Sequence, residues 1–477
     1  MSRKKLFIEN IFAYGFINIL NKIVPFLLLP VVTRMLPDTS DFGVYSMYTT
    51  IIGFGTPFAI LGLYDAMFRE YFETEDKKYK YDVTTTTQRM ILFASIIISV
   101  VLVMFSSSLS QLFFGTTIYN NVLILAGIGV FLGANKTPIQ APTRMQNHRR
   151  IFVFSGLLSS ISLYAIALVL IYLGFSYFGL IYASIFSSII LIGFFWYRNY
   201  RFFTKGNFDL EIAKKLLKIG LPLLPTFLFY WVFNAMDKIM ITNILGTAQL
   251  GVYSIGVKIS QVSTLIYAAF AGGFQFFAFS TMKDRDQIGL NSKIFDYLGA
   301  LSILSLILIF PFIKIGFDIL FEGDYVLGYI VVPYLFVAPL LLMLFQIVAN
   351  QFLVINKSYF VTISLVVGAF LNIILNLILI HLLGIEGAAI ATFIGYIVTI
   401  LTVMIISKRL NCMVYSKRII TILFLGPVYI AIQKIFVNEQ ILLSIIVMTL
   451  FILPFILLYM FELREITKYI KTKVGSK

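Results

Sequence analysis

The sequence predicts an all-α polytopic membrane protein of about fourteen transmembrane helices, arranged as two six-helix lobes related by a parallel repeat, with two further helices at the C-terminal end. Three observations carry that expectation. The 477 residues are 60% hydrophobic and 12% charged, with a mean hydropathy of +0.94, against roughly 25% charged in an ordinary soluble domain. Apolar stretches long enough for a roughly 30 Å hydrocarbon core recur from end to end, and the polar breaks between them are too short to fold alone. Residues 208 positions apart match in corresponding spans.

In chain order the first six spans are expected at 6–36, 41–71, 83–114, 118–147, 150–173 and 177–200. The opening "MSRKK" resembles a signal-peptide start, but the apolar stretch behind it is too long, holds Asn18, Asn21 and Lys22 and lacks a small-residue cleavage site. It is therefore expected to stay as the first span. The segment "RFFTKGNFDLEIAKK" from Arg201 is polar and basic, as suits a linker on the inner membrane surface. Six more spans follow at 213–245, 247–279, 293–321, 325–355, 358–383 and 385–410, then two at 416–436 and 440–461. This divides the chain into a first lobe over 1–200, a linker over 201–212, a second lobe over 213–410, and two added helices with a basic tail over 411–477.

The repeat rests on particular residues. The stretch "TRMLPDTSDFGVYS" from Thr33 has a partner in "TNILGTAQLGVYS" from Thr242, with "GVYS" intact at Gly43 to Ser46 and at Gly251 to Ser254. The same offset lays Gly179, Ala183 and Ser184 on Gly387, Ala391 and Thr392. It links span 2 to span 8 and span 6 to span 12, and because an even number of spans separates the copies, both enter the membrane in the same direction. Proline keeps the same register: spans 1, 4, 7 and 10 each hold a pair, Pro25 and Pro30, Pro138 and Pro142, Pro222 and Pro225, Pro333 and Pro339. A proline removes a backbone hydrogen bond and invites a bend, which a membrane tolerates where neighbours or a cavity satisfy the freed groups. Pro25, Pro30, Pro222 and Pro225 are thus the expected hinges of two bundles around a central cleft.

Orientation follows from the basic residues. With the N-terminus inside, about 30 of the 37 Lys and Arg fall in inner loops or span ends, and only Arg34, Lys314 and Lys434 fall in or near outer segments. Both termini are therefore expected to be cytoplasmic. The formal charge of +15 reflects contact with the inner leaflet, and no nucleic-acid partner is expected.

An ionised side chain at the bilayer centre costs roughly 2.5 to 3.5 kcal/mol, so each deep charge needs a reason. Lys22 lies about 24 Å along its helix from Leu6 at 1.5 Å per residue. Lys258 lies inward of the outer "GVYS" tyrosine in span 8, and Asp237 and Lys238 occupy the outer half of span 7. Asp65 and Arg69 sit towards the inner end of span 2, and Arg34 caps span 1 at its outer end. Spans 1, 2, 7 and 8 therefore hold most of the deep charges, and a cleft along them is predominantly cationic. Such a surface suits an anionic substrate, with Lys22, Arg34, Arg69, Lys238 and Lys258 as its ligands and Asp65 and Asp237 as candidates for ion coupling. Simpler roles stand beside these. Asp65 and Arg69 are four apart and can pair along one helix face, Asp237 and Lys238 are adjacent and cannot both face a cleft squarely, and Lys136 with Gln140 reads as a structural polar cluster.

One cysteine, Cys412, and two histidines, His148 and His381, are too few for a disulfide framework or a structural zinc site. No Gly-Lys-Ser/Thr phosphate loop is present, so ATP hydrolysis by this chain is not expected. No cofactor or metal is expected either; proton or Na⁺ coupling, or the membrane potential, is left as the energy source.

The first span ending in "TRML", the short polar loop and "FGVYS" resemble the N-terminal signature of the Wzx-type polysaccharide flippases, within the multidrug/oligosaccharidyl-lipid/polysaccharide (MOP) exporter superfamily. "MDKIMITNILGTAQLGVYS" from Met236 is similar to their seventh-to-eighth-span signature. The resemblance implies a MATE/MOP-like, V-shaped pair of lobes and a non-enzymatic flippase in the bacterial cytoplasmic membrane. Its substrate would be an undecaprenyl-pyrophosphate-linked oligosaccharide used for O-antigen or capsule, turned from the inner to the outer leaflet. Membrane lipids, a polysaccharide polymerase and glycosyltransferases are the partners it implies. By position, Arg34, Asp65, Arg69, Asp237, Lys238 and Lys258 match places where such proteins carry charge, and Lys22 matches a basic position in the first span. Three rivals remain: a peptidoglycan-precursor flippase with the same span count, a cation-coupled multidrug antiporter with twelve spans and acidic sites, and a membrane glycan polymerase or ligase with a large catalytic outer loop.

Overall fold

Side-chain caps decide where several helices begin. Asp38 accepts the Ser40 N–H at 2.8 Å and Asp76 that of Lys78 at 3.0 Å, while Asp209 accepts from Glu211 and Ile212 at 2.8 and 3.1 Å. The computed structural model describes residues 23–267, 286–355, 357, 359–437 and 440–460. Its helices are α1 (Ile23–Met35), α2 (Thr39–Ile60), α3 (Leu63–Tyr71), α4 (Lys77–Met104), α5 (Ser106–Phe114), α6 (Asn120–Met145), α7 (Arg149–Tyr172), α8 (Ser176–Asn199), α9 (Arg201–Thr204), α10 (Leu210–Gly220), α11 (Leu224–Leu245) and α12 (Thr247–Ser260). There follow α13 (Gln287–Leu320), α14 (Val332–Val354), α15 (Tyr359–Arg409), α16 (Lys417–Ile432) and α17 (Ile441–Leu458). No strand occurs among the described residues.

Nine helices among the described residues are long and apolar enough to cross a membrane, and α2 with α3 makes a tenth. Gly384 (φ 61°) interrupts the 51-residue α15 and divides it into two spans. Helices α1, α11 and α12 lie in the three remaining expected spans. The all-helical, polytopic fold class read from composition therefore holds.

Local geometry departs from the expected spans in three places. Span 2 is broken: Leu61 (φ 57°) and Gly62 (φ 68°) are left-handed, and α3 turns 45° from α2. A Cβ at Gly62 would strike the Gly220 carbonyl, and one at Gly220 would strike the Leu61 carbonyl, so the break is filled by the end of α10. Span 3 starts earlier, at Lys77, because Asp76 caps it there, and it breaks at Phe105 before α5. Span 7 is divided into α10, a 3-10 turn over Leu221–Leu223, and α11. Pro222 sits in that turn and Pro225 in the first turn of α11, where a missing N–H leaves no helical bond unmade. Those two prolines stop and restart a helix; they do not bend a continuous one.

By contact the chain forms two compact units: Met1–Lys258 with Phe321–Tyr325 and Asn372–Ala388, and Ile259–Leu320 with Val326–Leu371 and Ala389–Lys477. In the first, the two "GVYS" copies meet. A Cβ at Gly43 on α2 would be driven into the Thr247 carbonyl oxygen, and one at Gly251 on α12 into that of Thr39. Beyond the glycines, Ser254 Oγ donates to Ser46 Oγ at 2.7 Å. The pairs Thr39 and Thr247, Gly43 and Gly251, and Ser46 and Ser254 are each 208 positions apart. Reciprocal contacts of this kind are the mark of a two-fold axis, which here passes between the residues that reveal the repeat.

The same unit holds the polar linker. Thr84 and Thr85 donate to the Phe202 carbonyl at 2.8 and 3.1 Å, Asp82 accepts the Asn207 N–H at 2.7 Å, and Thr86 accepts that of Asp209 at 3.0 Å. The threonine run at 84–87 is fully buried and fastens residues 201–209 to α4. Nearby, Gln88 donates to Asn135 at 2.9 Å and Asn135 donates to Ser95 at 2.9 Å, a buried chain joining α4 to α6.

In the second unit, α16 and α17 dock on α13 and on each other. Tyr429 donates to the Ile307 carbonyl at 3.0 Å, Gln433 donates to Tyr429 at 2.9 Å, and Ser444 donates to Gln433 at 2.9 Å. An apolar cavity of about 370 Å³ lies among Ile303, Leu341, Phe393, Met404, Tyr415 and Phe424.

Candidate functional site

The charged residues singled out above fall in different environments. Lys22 lies outside the described residues. Arg34 pairs with Glu322, Nε to Oε1 at 2.9 Å, with both side chains exposed, a contact worth up to about 1 kcal/mol. Asp65 and Arg69 are both exposed on α3, and no ion pair joins them, contrary to a simple i,i+4 pairing. The neighbouring cation is Arg144 at the end of α6, which donates to Tyr64 Oη at 3.0 Å and lies 5.6 Å from the Phe68 ring and 5.7 Å from that of Phe152.

Asp237 and Lys238 divide their duties, as adjacent helix positions must. Asp237 is 7% exposed, so its carboxylate needs donors. It has two: Tyr253 Oη, from the second "GVYS", and the Lys238 backbone N–H at 2.8 Å. That engagement ties α11 to α12 and leaves Asp237 facing protein. Lys238 is half-buried, and Lys258 on α12 is exposed. The two ammonium groups are close enough for the charge of one to act on the other. Among the described residues neither ammonium makes an ion pair or side-chain hydrogen bond. Trp231 of α11 donates to the Thr50 carbonyl at 3.2 Å and packs on Phe54 at 4.5 Å between centroids. Two ammonium groups that make no ion pair, Lys238 also lying within the field of the adjacent Asp237 carboxylate, can hold an anion with more than one charged oxygen.

The family model described as "Polysaccharide biosynthesis protein" matches residues 31–317, more than half of the chain. The chain belongs to this polysaccharide biosynthesis family. No curated protein sequence matches it. Its fold is similar to that of a solved lipid II flippase MurJ in an inward closed conformation, at 14% identity and a TM-score of 0.68, covering 93% of this chain and 100% of that one. It is also similar to an inward-facing multidrug resistance MATE family transporter of the MOP superfamily, at 16% identity and a TM-score of 0.62, covering 81% and 94%. The Vibrio cholerae MATE transporter VcmN in its bent form follows at 14% identity and a TM-score of 0.55, covering 85% and 97%. The expected MATE/MOP-like helical fold is thereby shown.

In this polysaccharide biosynthesis protein the charges do not follow the repeat. Counting back 208 positions from Asp237, Lys238 and Lys258 gives Leu29, Pro30 and Thr50; counting forward from Arg34, Asp65 and Arg69 gives Thr242, Gly273 and Phe277. None of these six charges therefore has a charged counterpart at the matching position of the other half. Of the expected hinges, Pro25 and Pro30 lie inside α1, where the Pro30 carbonyl accepts from Thr33 Oγ1 at 3.0 Å. Three partners were not legible beforehand: Glu322 for Arg34, Tyr253 for Asp237 and Tyr64 for Arg144. Each lies far away in sequence or is a tyrosine inside an apolar run, so composition and spacing offer no signal for the pairing.

Proposed function

We propose that the protein is a flippase for undecaprenyl-pyrophosphate-linked oligosaccharide repeat units, moving them from the inner to the outer leaflet of the bacterial cytoplasmic membrane by alternating access. The observation that carries this reading is a pair of lysines without an ion pair, Lys238 and Lys258, in a chain of the polysaccharide biosynthesis family with a MurJ-like fold. A sugar diphosphate loses its hydrogen bonds to water on entering hydrocarbon, so a passage must supply donors and positive charge. Lys238 and Lys258 do this for the diphosphate, with Arg34, Arg69 and Lys22 as further cations along the route. The protein makes and breaks no bond in this role. Asp65, which is exposed and unpaired, is the better candidate for ion coupling; Asp237 is engaged by Tyr253. Cytoplasmic termini follow from the distribution of Lys and Arg. Polymerase and glycosyltransferases would act on either side of the transfer.

A second reading, a peptidoglycan-precursor flippase, is favoured by one observation, the similarity of fold to a lipid II flippase over 93% of the chain. Depletion of the protein separates the two. Inner-leaflet accumulation of the lipid-linked oligosaccharide, reversed by the intact chain and not by the Lys238→Gln/Lys258→Gln variant, is the expected result. Accumulation of a peptidoglycan precursor instead selects the second reading, and an unchanged lipid pool rejects both.

A further inference from the structure

A further cation without an ion pair lies elsewhere in the first unit. Lys136 on α6 is about 14 Å along the helix from Met145 at 1.5 Å per residue, deep within a membrane span. It borders a cavity of about 330 Å³ between α6, α7 and α8, together with Gln140, Ser155, Ser159 and Ser160. Phe152 and Phe195 form part of its apolar wall. That volume falls in the roughly 300–1,000 Å³ range of small-ligand sites.

The polar groups around this space are not joined to each other. The polar chain at this level runs instead through Gln88, Asn135 and Ser95, on the adjacent face of α6. Among the described residues the Lys136 ammonium, the Gln140 amide and the Ser159 and Ser160 hydroxyls make no side-chain hydrogen bond or ion pair, and Ser155 donates to its own helix, to the Phe152 carbonyl at 2.8 Å. The described lining carries no carboxylate. A positive charge surrounded by unsatisfied donors, with no acid to neutralise it, is complementary to an oxyanion. A lysine point charge backed by hydroxyl and amide donors suits a phosphate with several acceptor oxygens.

We propose that this cavity is a phosphate-binding site separate from the Lys238 and Lys258 pair, in which Lys136 holds the anion and Gln140, Ser159 and Ser160 donate to its oxygens. The phosphate has two chemical sources, the diphosphate head of an isoprenoid lipid and soluble pyrophosphate, which share the group recognised. The site does not depend on the transport reading above, since no residue is common to both.

The test uses the purified full-length protein in detergent, with both cation sites addressed separately. Radiolabelled pyrophosphate binding is measured in the Lys238→Gln/Lys258→Gln background, where saturable binding is expected to persist. Adding Lys136→Gln is expected to abolish it, Lys136→Arg to retain it, and Gln140→Leu, which leaves the charge in place, to weaken it several-fold. Competition by farnesyl diphosphate at concentrations where pyrophosphate competes at least tenfold less well assigns the lipid source; equal competition assigns the soluble one. Loss of all binding on Lys238→Gln/Lys258→Gln alone, or binding undiminished by Lys136→Gln in a monodisperse protein, overturns the proposal. Wild-type binding that is lost with Lys136→Gln alone and untouched by Lys238→Gln/Lys258→Gln supports this site while counting against the lysine pair in the transport reading.

Discussion

The repeat supplies its own control for the energetics of the Asp237 site. Tyr45 and Tyr253 are the tyrosines of the two "GVYS" copies, both buried, at 9% and 0% exposure. Tyr253 donates to the buried Asp237 carboxylate. The residue 208 positions before Asp237 is the apolar Leu29, which offers Tyr45 no carboxylate, and the Tyr45 ring stacks on Tyr48 at 6.2 Å between centroids. Removing each hydroxyl therefore changes the same atom in two environments. A hydrogen bond to a charged group contributes about 1.5–3 kcal/mol, and leaving a buried acceptor short of a donor falls in the same range. Tyr253→Phe is expected to destabilise by about 2 kcal/mol, close to a thirtyfold change in the folded-to-unfolded ratio. Tyr45→Phe is expected to lie within about 0.5 kcal/mol of the parent. Reversible denaturation of the two purified variants in the same micelles measures the difference directly. If Tyr253→Phe proves as stable as Tyr45→Phe, the Asp237 engagement contributes nothing and Asp237 returns to the list of residues free to couple ions.

Three further predictions concern other elements. Gly43→Ala places a methyl group in the Thr247 carbonyl and is expected to destabilise by about 1–3 kcal/mol, whereas Gly53→Ala on the same helix meets nothing within 4 Å and is expected to be neutral or stabilising by up to about 1 kcal/mol; thermal melts of the two variants decide. Lys258→Gln is expected to slow transfer of lipid-linked oligosaccharide in reconstituted vesicles about 10- to 100-fold, with Lys258→Arg retaining most activity. Equal rates for Lys258→Gln and the parent reject a substrate role. Glu75, outside the spans, is held below its ordinary value by the Lys80 ammonium, Oε2 to Nζ at 2.7 Å. A depressed carboxyl contributes stability above its unfolded value of 4.5 that is lost as the pH falls through the folded one. A small acid sensitivity that disappears in Lys80→Gln is the expected outcome in unfolding measured against pH.

Most of the architecture could be read from hydropathy and the internal offset, because both are properties of many residues at once. Gly384 was visible as the boundary between two expected spans. The break between α2 and α3 was not, since Leu61 is an ordinary apolar residue and its left-handed backbone is set by the packing of Gly220 against it. The earlier start of α4 was readable in principle from Asp76 followed by "KKYK", a capping residue ahead of a helix. Site residues were harder. Charge in a span marks a position as costly without saying what neutralises it. Lys136 and Gln140 are expected from the sequence as a structural polar cluster, whereas in the structure the neighbouring Asn135 makes the side-chain hydrogen bonds.

The crossing at Gly43 and Gly251 has a consequence for how a duplicated gene ages. After duplication each copy drifts independently, and the charges of this chain show how far the halves have parted. A contact made by a residue with its own counterpart is different, because a change in either copy meets the other. A side chain acquired at position 43 collides with the backbone of the second half, and one at 251 collides with that of the first. Neither lineage is free to lose its glycine, and a compensating change would have to occur in both at once. The short motif that survives in duplicate is thus the part of the ancestral sequence that natural selection could edit only in pairs.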